Sequence, residues 1–306
     1  MDFMNKICGY DKDKIFYLQV LCGAFLTGDT SLQSLFLLIG KGASGKSTFA
    51  NVIRLIMGPY CKSAPETAFS DKNSNSNFEL ASIAGARLVI ISEESDKNRL
   101  NEPLIKRITG GEAISCCNKY GPFFEYIPHF KLLMITNEVP YISSQGYDMK
   151  RRIKAIPFNQ RFTEKDPDYP LDSHIFDKLK EEKDSIFAWF VLGTILYYES
   201  YCKLPCCHAV NNTGNEIFEE QDNLGDWLET YFENDKNSFT LQEDLWQSYC
   251  NYCTQTETKK TYSCSRSLAK NLAKRDEYTK IRKTIGVGFL GLKKKNIIYN
   301  YDDFGL

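Results

Sequence analysis

The sequence predicts an α/β protein built around a parallel sheet that carries a phosphate-binding loop. Three observations predict this fold class. Residues 40–48 read Gly-Lys-Gly-Ala-Ser-Gly-Lys-Ser-Thr and complete the pattern G-x-x-x-x-G-K-[ST] between an apolar run and a helical pattern. Short apolar runs alternate with helical segments along the chain, an order typical of parallel sheets. Polar residues follow these runs, at the strand ends where parallel sheets bind their ligands.

The phosphate-binding loop lies between a predicted strand and a predicted helix. The apolar run Leu35–Ile39 precedes it, and apolar residues with helical spacing follow it until Gly58 and Pro59 stop the helix. Glycines let backbone N–H groups surround phosphate oxygens, and the helix N-terminus adds partial positive charge. We expect Lys46 to contact the β- and γ-phosphates and Ser47 to hold Mg²⁺. The predicted site for ATP and Mg²⁺ comprises Gly40, Lys41, Gly42, Ala43, Ser44, Gly45, Lys46, Ser47 and Thr48.

Two further predicted strands end in polar side chains that suit phosphate chemistry. The run 87–92 is followed by Glu93 and Glu94, which we interpret as a carboxylate for Mg²⁺ and a carboxylate that orients and deprotonates the attacking water. The alternative is an acidic helix N-terminus. The run 131–136 is followed by Asn137, whose amide can hydrogen-bond the γ-phosphate and the water. The alternative for Asn137 is an ordinary turn residue at a strand end.

Arg151 and Arg152 precede a fourth predicted strand, residues 153–158. A guanidinium stays charged and contacts phosphate through two parallel hydrogen bonds, so one of the pair is a candidate arginine finger for a neighbouring subunit's γ-phosphate. A surface salt bridge is the alternative.

A β-hairpin is predicted between the second and third runs. Residues 113–117 and 123–127 are expected to pair across a turn that carries Lys119 and Tyr120. A lysine beside a tyrosine suits a phosphate and the face of a base or sugar. An ordinary surface hairpin is the alternative reading.

The rest of the chain is predicted to be mainly helical. Residues 13–27 and 173–201 have helical apolar spacing, and Pro205 with the polar run 211–215 is predicted to be a linker. The last segment, with a hairpin from 289–292 and 297–299, has the outline of a winged helix. We therefore predict an N-terminal helical segment, an ATPase core, a helical subdomain with the linker, and a basic winged-helix-like domain. Their predicted bounds are 1–30, 31–165, 166–212 and 213–306.

Charge is distributed unevenly, although the net charge is only −1. Residues 216–244 are strongly acidic and residues 259–295 are strongly basic. A basic block of this size has a phosphate backbone as its natural partner, and a solvated charged face is the alternative.

Cysteine usage and hydropathy bound the compartment. The eleven cysteines include two adjacent pairs, and a phosphate-loop enzyme works where thiols stay reduced. Cys250 and Cys253 with Cys264, and Cys202 with the 206–208 group, suggest zinc, but neither has zinc-finger spacing, so we predict free thiols. No apolar run could span a bilayer and no signal-peptide pattern begins the chain. We expect a cytoplasmic protein without a membrane partner.

The order and spacing of these motifs resemble the superfamily 3 helicases, specifically the helicase part of phage, plasmid and poxvirus-type primase–helicases. The resemblance rests on residues 26–29, 40–48, 93–94, 106–111, 135–140 and 151–158. It is close over residues 13–165 and loose over the C-terminal third. It implies a ring-forming ATPase of the AAA+ type, commonly a hexamer, that translocates on single-stranded DNA and separates forked DNA during replication of a virus or mobile element.

The resemblance also implies roles for single residues. Asn137 is similar in place to the sensor-1 residue, Arg152 to the trans arginine finger with Arg151 as second choice, and Lys106 to a further basic sensor of ATP. Lys119 falls on the DNA-gripping hairpin. Glu93 departs from the family, since many AAA+ proteins have aspartate there. Tyr120 departs too, because papillomavirus-type relatives carry histidine.

The preceding primase domain of the family has no counterpart in this sequence, so we expect a split gene or a fragment, with a separate primase or initiator as a partner. Two alternatives stay open. One is an origin-binding initiator whose ATP switch assembles a complex with little unwinding. The other is a nucleotide-driven DNA-packaging or protein-remodelling motor.

Overall fold

A computed structural model describes residues 1–70, 76–92, 100–140, 142, 147–220, 223–256, 262, 264–273, 275 and 277–295. The chain divides into two compact units, Met1–Gln221 and Asp222–Leu306. None of the helices within these described ranges has the length and apolar character needed to cross a membrane.

The first unit contains a five-stranded parallel sheet covered by helices. Its strands are β1 (Leu35–Ile39), β2 (Cys61–Pro65), β3 (Leu88–Ser92), β4 (Ile114–Cys117), β5 (Phe123–Tyr126), β6 (Lys131–Thr136) and β7 (Ile153–Pro157). Its helices are α1 (Asp2–Cys8), α2 (Lys12–Phe25), α3 (Lys46–Met57), α4 (Ser76–Ser82), α5 (Glu102–Thr109), α6 (Tyr147–Lys150), α7 (Ile175–Glu181), α8 (Lys183–Glu199) and α9 (His208–Glu220). Short 3₁₀ turns lie at Gly58–Tyr60 and Glu66–Phe69.

The sheet has the strand order β2-β3-β6-β1-β7, and all neighbouring pairs are parallel. Because β1, β3, β6 and β7 are apolar on both faces, each face of the sheet is buried by helices. Leu35 and Leu37 of β1 belong to the core shared with α4, α5 and α9, whereas Phe36 and Leu38 belong to the core shared with α1, α2, α3 and α8. The sheet is therefore the middle of three layers, and β1 lies near its centre.

Helices α2 and α8 cross at two glycines. A Cβ atom on Gly23 would lie 2.1 Å from the backbone of Gly193, and one on Gly193 would lie 2.1 Å from the carbonyl oxygen of Gln19. Any side chain at either position would push the helices apart, so both positions require glycine at this crossing.

The predicted strands at 35–39, 87–92, 131–136 and 153–158 are confirmed, as is the β4–β5 hairpin. The sequence reasoning missed helix α1 and strand β2, and it joined α7 and α8 into one helix. The polar run 211–215, which the sequence predicts to be a linker, lies inside α9. Its neighbours Ile217 and Phe218 are buried in the core of the first unit, and these contacts fix the helix despite its polar sequence.

The second unit is a small α/β domain. Its elements are α10 (Asn223–Tyr231), β8 (Phe232–Leu241), α11 (Gln242–Gln255), α12 (Ser265–Leu272), β9 (Thr279–Lys283) and β10 (Gly286–Lys294). They form an antiparallel sheet in the order β8-β10-β9 around a core centred on Trp227. The hairpin predicted from 289–292 and 297–299 is wrong in its pairing: residues 289–292 pair with β9 and β8 instead, and residues 297–299 lie outside the described residues.

Candidate nucleotide-binding site

The phosphate-binding loop joins the C-terminal end of β1 to the N-terminus of α3. The loop closes on Gly45, which has a left-handed backbone with φ of 88°. A Cβ atom on Gly45 would lie 2.7 Å from Cγ2 of Ile7, so helix α1 packs directly against the loop. Left-handed φ and close packing both require glycine here. The first turn of α3 therefore presents its free N–H groups to the space above the loop.

Lys46 is the first residue of α3 and is almost fully buried. Its ammonium donates hydrogen bonds to the carbonyl oxygens of Gly40 and Lys41, at 3.0 Å for Lys41, and to Oγ of Ser44 at 3.1 Å. It also donates to Oδ1 of Asn137 at 3.1 Å. The lysine is thus held inside the loop in the position from which it can contact a phosphate oxygen.

Asn137 reaches the loop because of the strand order. Strand β6 pairs with β1 in parallel, with Ile39 opposite Thr136, so the residues that follow the two strands lie side by side. A cavity of about 430 Å³ opens at the C-terminal ends of these strands. It is lined by residues 42–48 of the loop together with Arg54, Ser92, Ile135, Thr136 and Asn137. The predicted loop and the predicted Asn137 therefore share one cavity.

The metal side of the site is described only in part. Ser47 is exposed in the first turn of α3, next to the cavity, where its hydroxyl suits Mg²⁺. Strand β3 ends at Ser92 in the cavity wall, and the predicted carboxylates Glu93 and Glu94 lie outside the described residues. Within the residues that the structure describes, the cysteines are free thiols and no group of three or more His, Cys, Asp or Glu residues could hold a metal ion.

A second cavity lies on the other side of the loop. It measures about 350 Å³ and shares Ala43, Gly45 and Thr48 with the loop, while Phe3, Phe162 and Phe176 supply aromatic walls. The backbone N–H of Phe162 donates to the carbonyl oxygen of Ala43 at 2.8 Å, which fixes the segment after β7 against the loop. An aromatic-walled cavity next to a phosphate site has the character of a subsite for a base.

Arg151 and Arg152 lie near the N-terminal ends of the parallel strands, whereas the loop lies at their C-terminal ends. They precede the N-terminal end of β7, and a five-residue strand separates them from the edge that carries the loop, about 17 Å away. Arg152 is buried, and its guanidinium donates to Oγ1 of Thr109 at 3.3 Å and to the carbonyl oxygen of Asp148 at 2.8 Å. Arg151 is half-buried and donates to Oε1 of Gln33 at 2.8 Å. Neither arginine can complete the cavity of its own chain.

Lys106 also lies away from the cavity. It is half-buried on α5, one turn before Thr109, the residue that accepts a hydrogen bond from Arg152. It does not line the cavity that holds Lys46. Lys106 therefore lies on the same side as the two arginines, near the N-terminal ends of the strands.

The β4–β5 hairpin presents Lys119 and Tyr120 at its tip. Tyr120 is 96 % exposed and has a left-handed φ of 65°. The Lys119 ammonium lies over its ring, 5.5 Å from the ring centroid. The base of the hairpin is anchored, because Oη of Tyr126 donates to the carbonyl oxygen of Leu80 at 2.8 Å and Phe124 packs on the core. The hairpin is thus firmly attached, with a cation and an aromatic ring projecting from it.

Sequence reasoning missed Arg54 among the cavity residues. It lies in the last turn of α3, where a basic residue is ordinary, and no motif marks it. Only the packing of α3 against the sheet reveals that its side chain lines the cavity that holds Lys46 and Asn137.

Residues 38–152 match a protein family described only as a family of unknown function (DUF5906). The chain is 27 % identical over 268 residues to a protein named "Putative helicase L207/L206" from Acanthamoeba polyphaga mimivirus, covering 80 % of this chain and 27 % of the relative. It is 25 % identical over 295 residues to "Putative helicase 184R" from Invertebrate iridescent virus 6, covering 85 % of this chain and 30 % of that protein. The chain thus spans less than a third of the length of either viral relative.

Solved structures of the C-terminal region of NrS-1 have a similar fold. They superpose with TM-scores of 0.53 to 0.58 at 13–14 % identity, over 95 % of this chain and 74–75 % of theirs. At this identity the similarity concerns the fold alone.

Proposed function

We propose that this chain is the motor part of a viral or mobile-element DNA helicase, which hydrolyses ATP with Mg²⁺ to move along single-stranded DNA. The observation that carries the proposal is the contact between Lys46 and Asn137. A phosphate-loop lysine and a strand-end amide that meet at 3.1 Å can hold one γ-phosphate between them. The helicase names of the viral relatives support the choice of DNA separation as the work performed.

The two cavities suggest how the nucleotide lies. The triphosphate would rest on the loop, with its base in the aromatic cavity and its γ-phosphate in the cavity with Lys46 and Asn137. When Mg²⁺ is bound it would neutralise the phosphate charge that develops on cleavage. Ser47 would hold it together with Glu93, while Glu94 would orient the water.

The three cations near the N-terminal ends of the strands support a site that is shared between subunits. Arg151, Arg152 and Lys106 are too far from their own loop to act there, so a role in ATP hydrolysis requires a second copy of the chain. A head-to-tail arrangement of this kind closes into a ring, and a hexamer of the AAA+ type is the form we propose. Loss of the γ-phosphate would then loosen the interface and move the hairpins that carry Lys119 and Tyr120 along the strand.

An ATP-switched origin-binding initiator is the second candidate. The second unit has the order helix, strand, helix, helix and hairpin, which supports a winged helix, and its edge strand β9 carries Lys280, Arg282 and Lys283. Exposed cations along a sheet edge suit the phosphates of duplex DNA. This unit could dock an origin, a primase or the forked DNA ahead of a ring.

Purified protein should be tested for ATP hydrolysis with and without single-stranded DNA, and for strand displacement on a fork. We expect DNA-stimulated turnover and unwinding, both abolished by Lys46→Ala because the γ-phosphate loses its main charge partner. Lys12→Ala is the matched control, since its side chain is exposed at the start of α2 and lies outside the loop. Near-normal turnover by Lys46→Ala would refute the site. Turnover and duplex binding without unwinding would favour the initiator.

A further inference from the structure

Arg54 is a half-buried arginine that lines the cavity beside the loop, and one of its donor atoms has no partner. Its Nη1 donates to Oδ1 of Asn51 at 3.0 Å, whereas its Nε is buried and has no hydrogen-bond partner. No carboxylate of the described residues forms an ion pair with it. Buried donors are nearly always paired, so a donor of this kind in a cavity wall calls for a ligand.

Arg54 reaches the cavity from a different part of α3 than Lys46 does. Arg54 follows Lys46 by eight residues, which places its Cα about 12 Å further along the axis of α3. Its guanidinium turns back toward the start of the helix, because it contacts Asn51, one turn earlier. Arg54 therefore lines the same cavity as Lys46 and Asn137 from a position further along α3, and it does not line the aromatic cavity.

We propose that Arg54 binds the inorganic phosphate that hydrolysis leaves in this cavity, and so controls its release. This inference rests on the proposed function, since ATP hydrolysis supplies the ligand. In that step the water oxygen bonds to the γ-phosphorus, the bond to the β–γ bridging oxygen breaks with its electron pair staying on ADP, and the proton that the water loses passes to the solvent. The oxygens of the product can accept two parallel hydrogen bonds from a planar guanidinium. Lys46 holds the ADP side, and Arg54 takes the freed phosphate.

The role differs from that of a residue that binds ATP. Arg54 lies too far along α3 to replace Lys46, so its loss should leave nucleotide affinity nearly unchanged. A charge-assisted hydrogen bond lost from a phosphate corresponds to roughly a ten- to hundredfold weaker affinity. We therefore expect phosphate binding to fall by at least about tenfold in Arg54→Gln. Arg54→Lys should fall between, because it keeps the charge and loses the fork.

The test measures two affinities on the same samples, with no need for turnover. Binding of radiolabelled inorganic phosphate is measured by equilibrium dialysis with and without Mg²⁺ and ADP, and ADP binding is measured separately. The variants are Arg54→Gln, Arg54→Lys and the control Arg107→Gln, an exposed arginine on α5 that forms an ion pair with Glu112. A melting curve for each variant, with Asn51→Ala as a milder change to the same group, guards against misfolding.

The expected result is weaker phosphate binding in Arg54→Gln, partial loss in Arg54→Lys and Asn51→Ala, and wild-type behaviour in the control. ADP affinity should stay within about twofold in all of them. Unchanged phosphate binding in a folded Arg54→Gln protein overturns the inference, as does a wild type that binds ADP but no phosphate up to about 10 mM. A wild type that binds no ADP overturns the proposed function instead, and its phosphate binding without nucleotide still tests Arg54.

Discussion

The two arginines at the N-terminal end of β7 should have separable roles, which alanine substitution can distinguish. Arg152 is buried, and its guanidinium makes two hydrogen bonds, to Thr109 and Asp148. Burial and the neighbouring Arg151 lower the pKa of Arg152, and Asp148 opposes this shift. Loss of two bonds from a charged donor costs about 2–4 kcal/mol. In a unit of this size, that lowers the melting temperature by roughly 5–15 °C.

Arg151→Ala should behave differently. Arg151 is half-buried and donates one hydrogen bond, to Gln33, so its loss should lower the melting temperature by less than about 5 °C. As the less constrained of the two, it is free to reach a neighbour's γ-phosphate. Its removal should then reduce turnover on the order of a thousandfold. We therefore predict that Arg151 is the finger and that Arg152 is structural, whereas the family resemblance implies Arg152 as the first choice.

The assays are thermal unfolding, steady-state ATPase and subunit mixing. A Lys46→Ala subunit still offers its arginine, and an Arg151→Ala subunit still offers its loop, so mixed assemblies should recover part of the turnover. Gln33→Ala is the control, since it removes the partner of Arg151 but not the guanidinium. The reasoning is refuted if Arg152→Ala melts like the wild type and abolishes turnover while Arg151→Ala keeps its turnover. Mixtures that co-assemble yet stay inactive would show that the site is not shared.

Two more predictions concern the hairpin and the base of β6. Lys119→Ala should keep basal ATPase but lose DNA stimulation and unwinding together, because the residue lies at the exposed hairpin tip; unchanged unwinding below DNA saturation would contradict this. Burial lowers the pKa of Lys131 to about 7, whereas the unfolded lysine keeps its proton until about pH 10.5. Unfolding then takes up a proton between these values, so stability relative to Lys131→Met should rise with pH across that window. Urea midpoints at several pH values measure it, and a flat difference would count against the shift.

Much of the first unit could be predicted because its signals are local. The strands β1, β3, β6 and β7 are short apolar runs buried on both faces, and such runs stand out in a sequence. The loop at 40–48 is contiguous, so its residue types and spacing are visible without any tertiary information. The contact between Lys46 and Asn137 follows from these elements only once β6 is known to pair with β1. That pairing depends on the strand order, which the sequence leaves open.

The features that sequence reasoning missed depend on distant contacts. Strand β2 is half-polar and includes Pro65, but parallel pairing with β3 makes it a strand at the sheet edge. The run 211–215 has turn-like residues, yet it is helical because Ile217 and Phe218 bury against the core. The inward direction of Arg152 and the unpaired Nε of Arg54 are properties of packing. None of these has a periodicity that a linear pattern could reveal.

The residues that carry the family resemblance do not all perform chemistry. Thr27 and Asp29 lie far from the cavity, at the N-terminal edge of the sheet. There the Lys131 ammonium donates to the carbonyl oxygens of Ala24 and Thr27, both at 2.6 Å, and Oη of Tyr197 donates to Asp29 at 2.9 Å. The Lys131 bonds join the end of α2 to the start of β6, whose other end precedes Asn137, and the Tyr197 bond joins α8 to Asp29. The 26–29 motif therefore contacts the start of the strand that carries Asn137, and its role in the structure is one of packing.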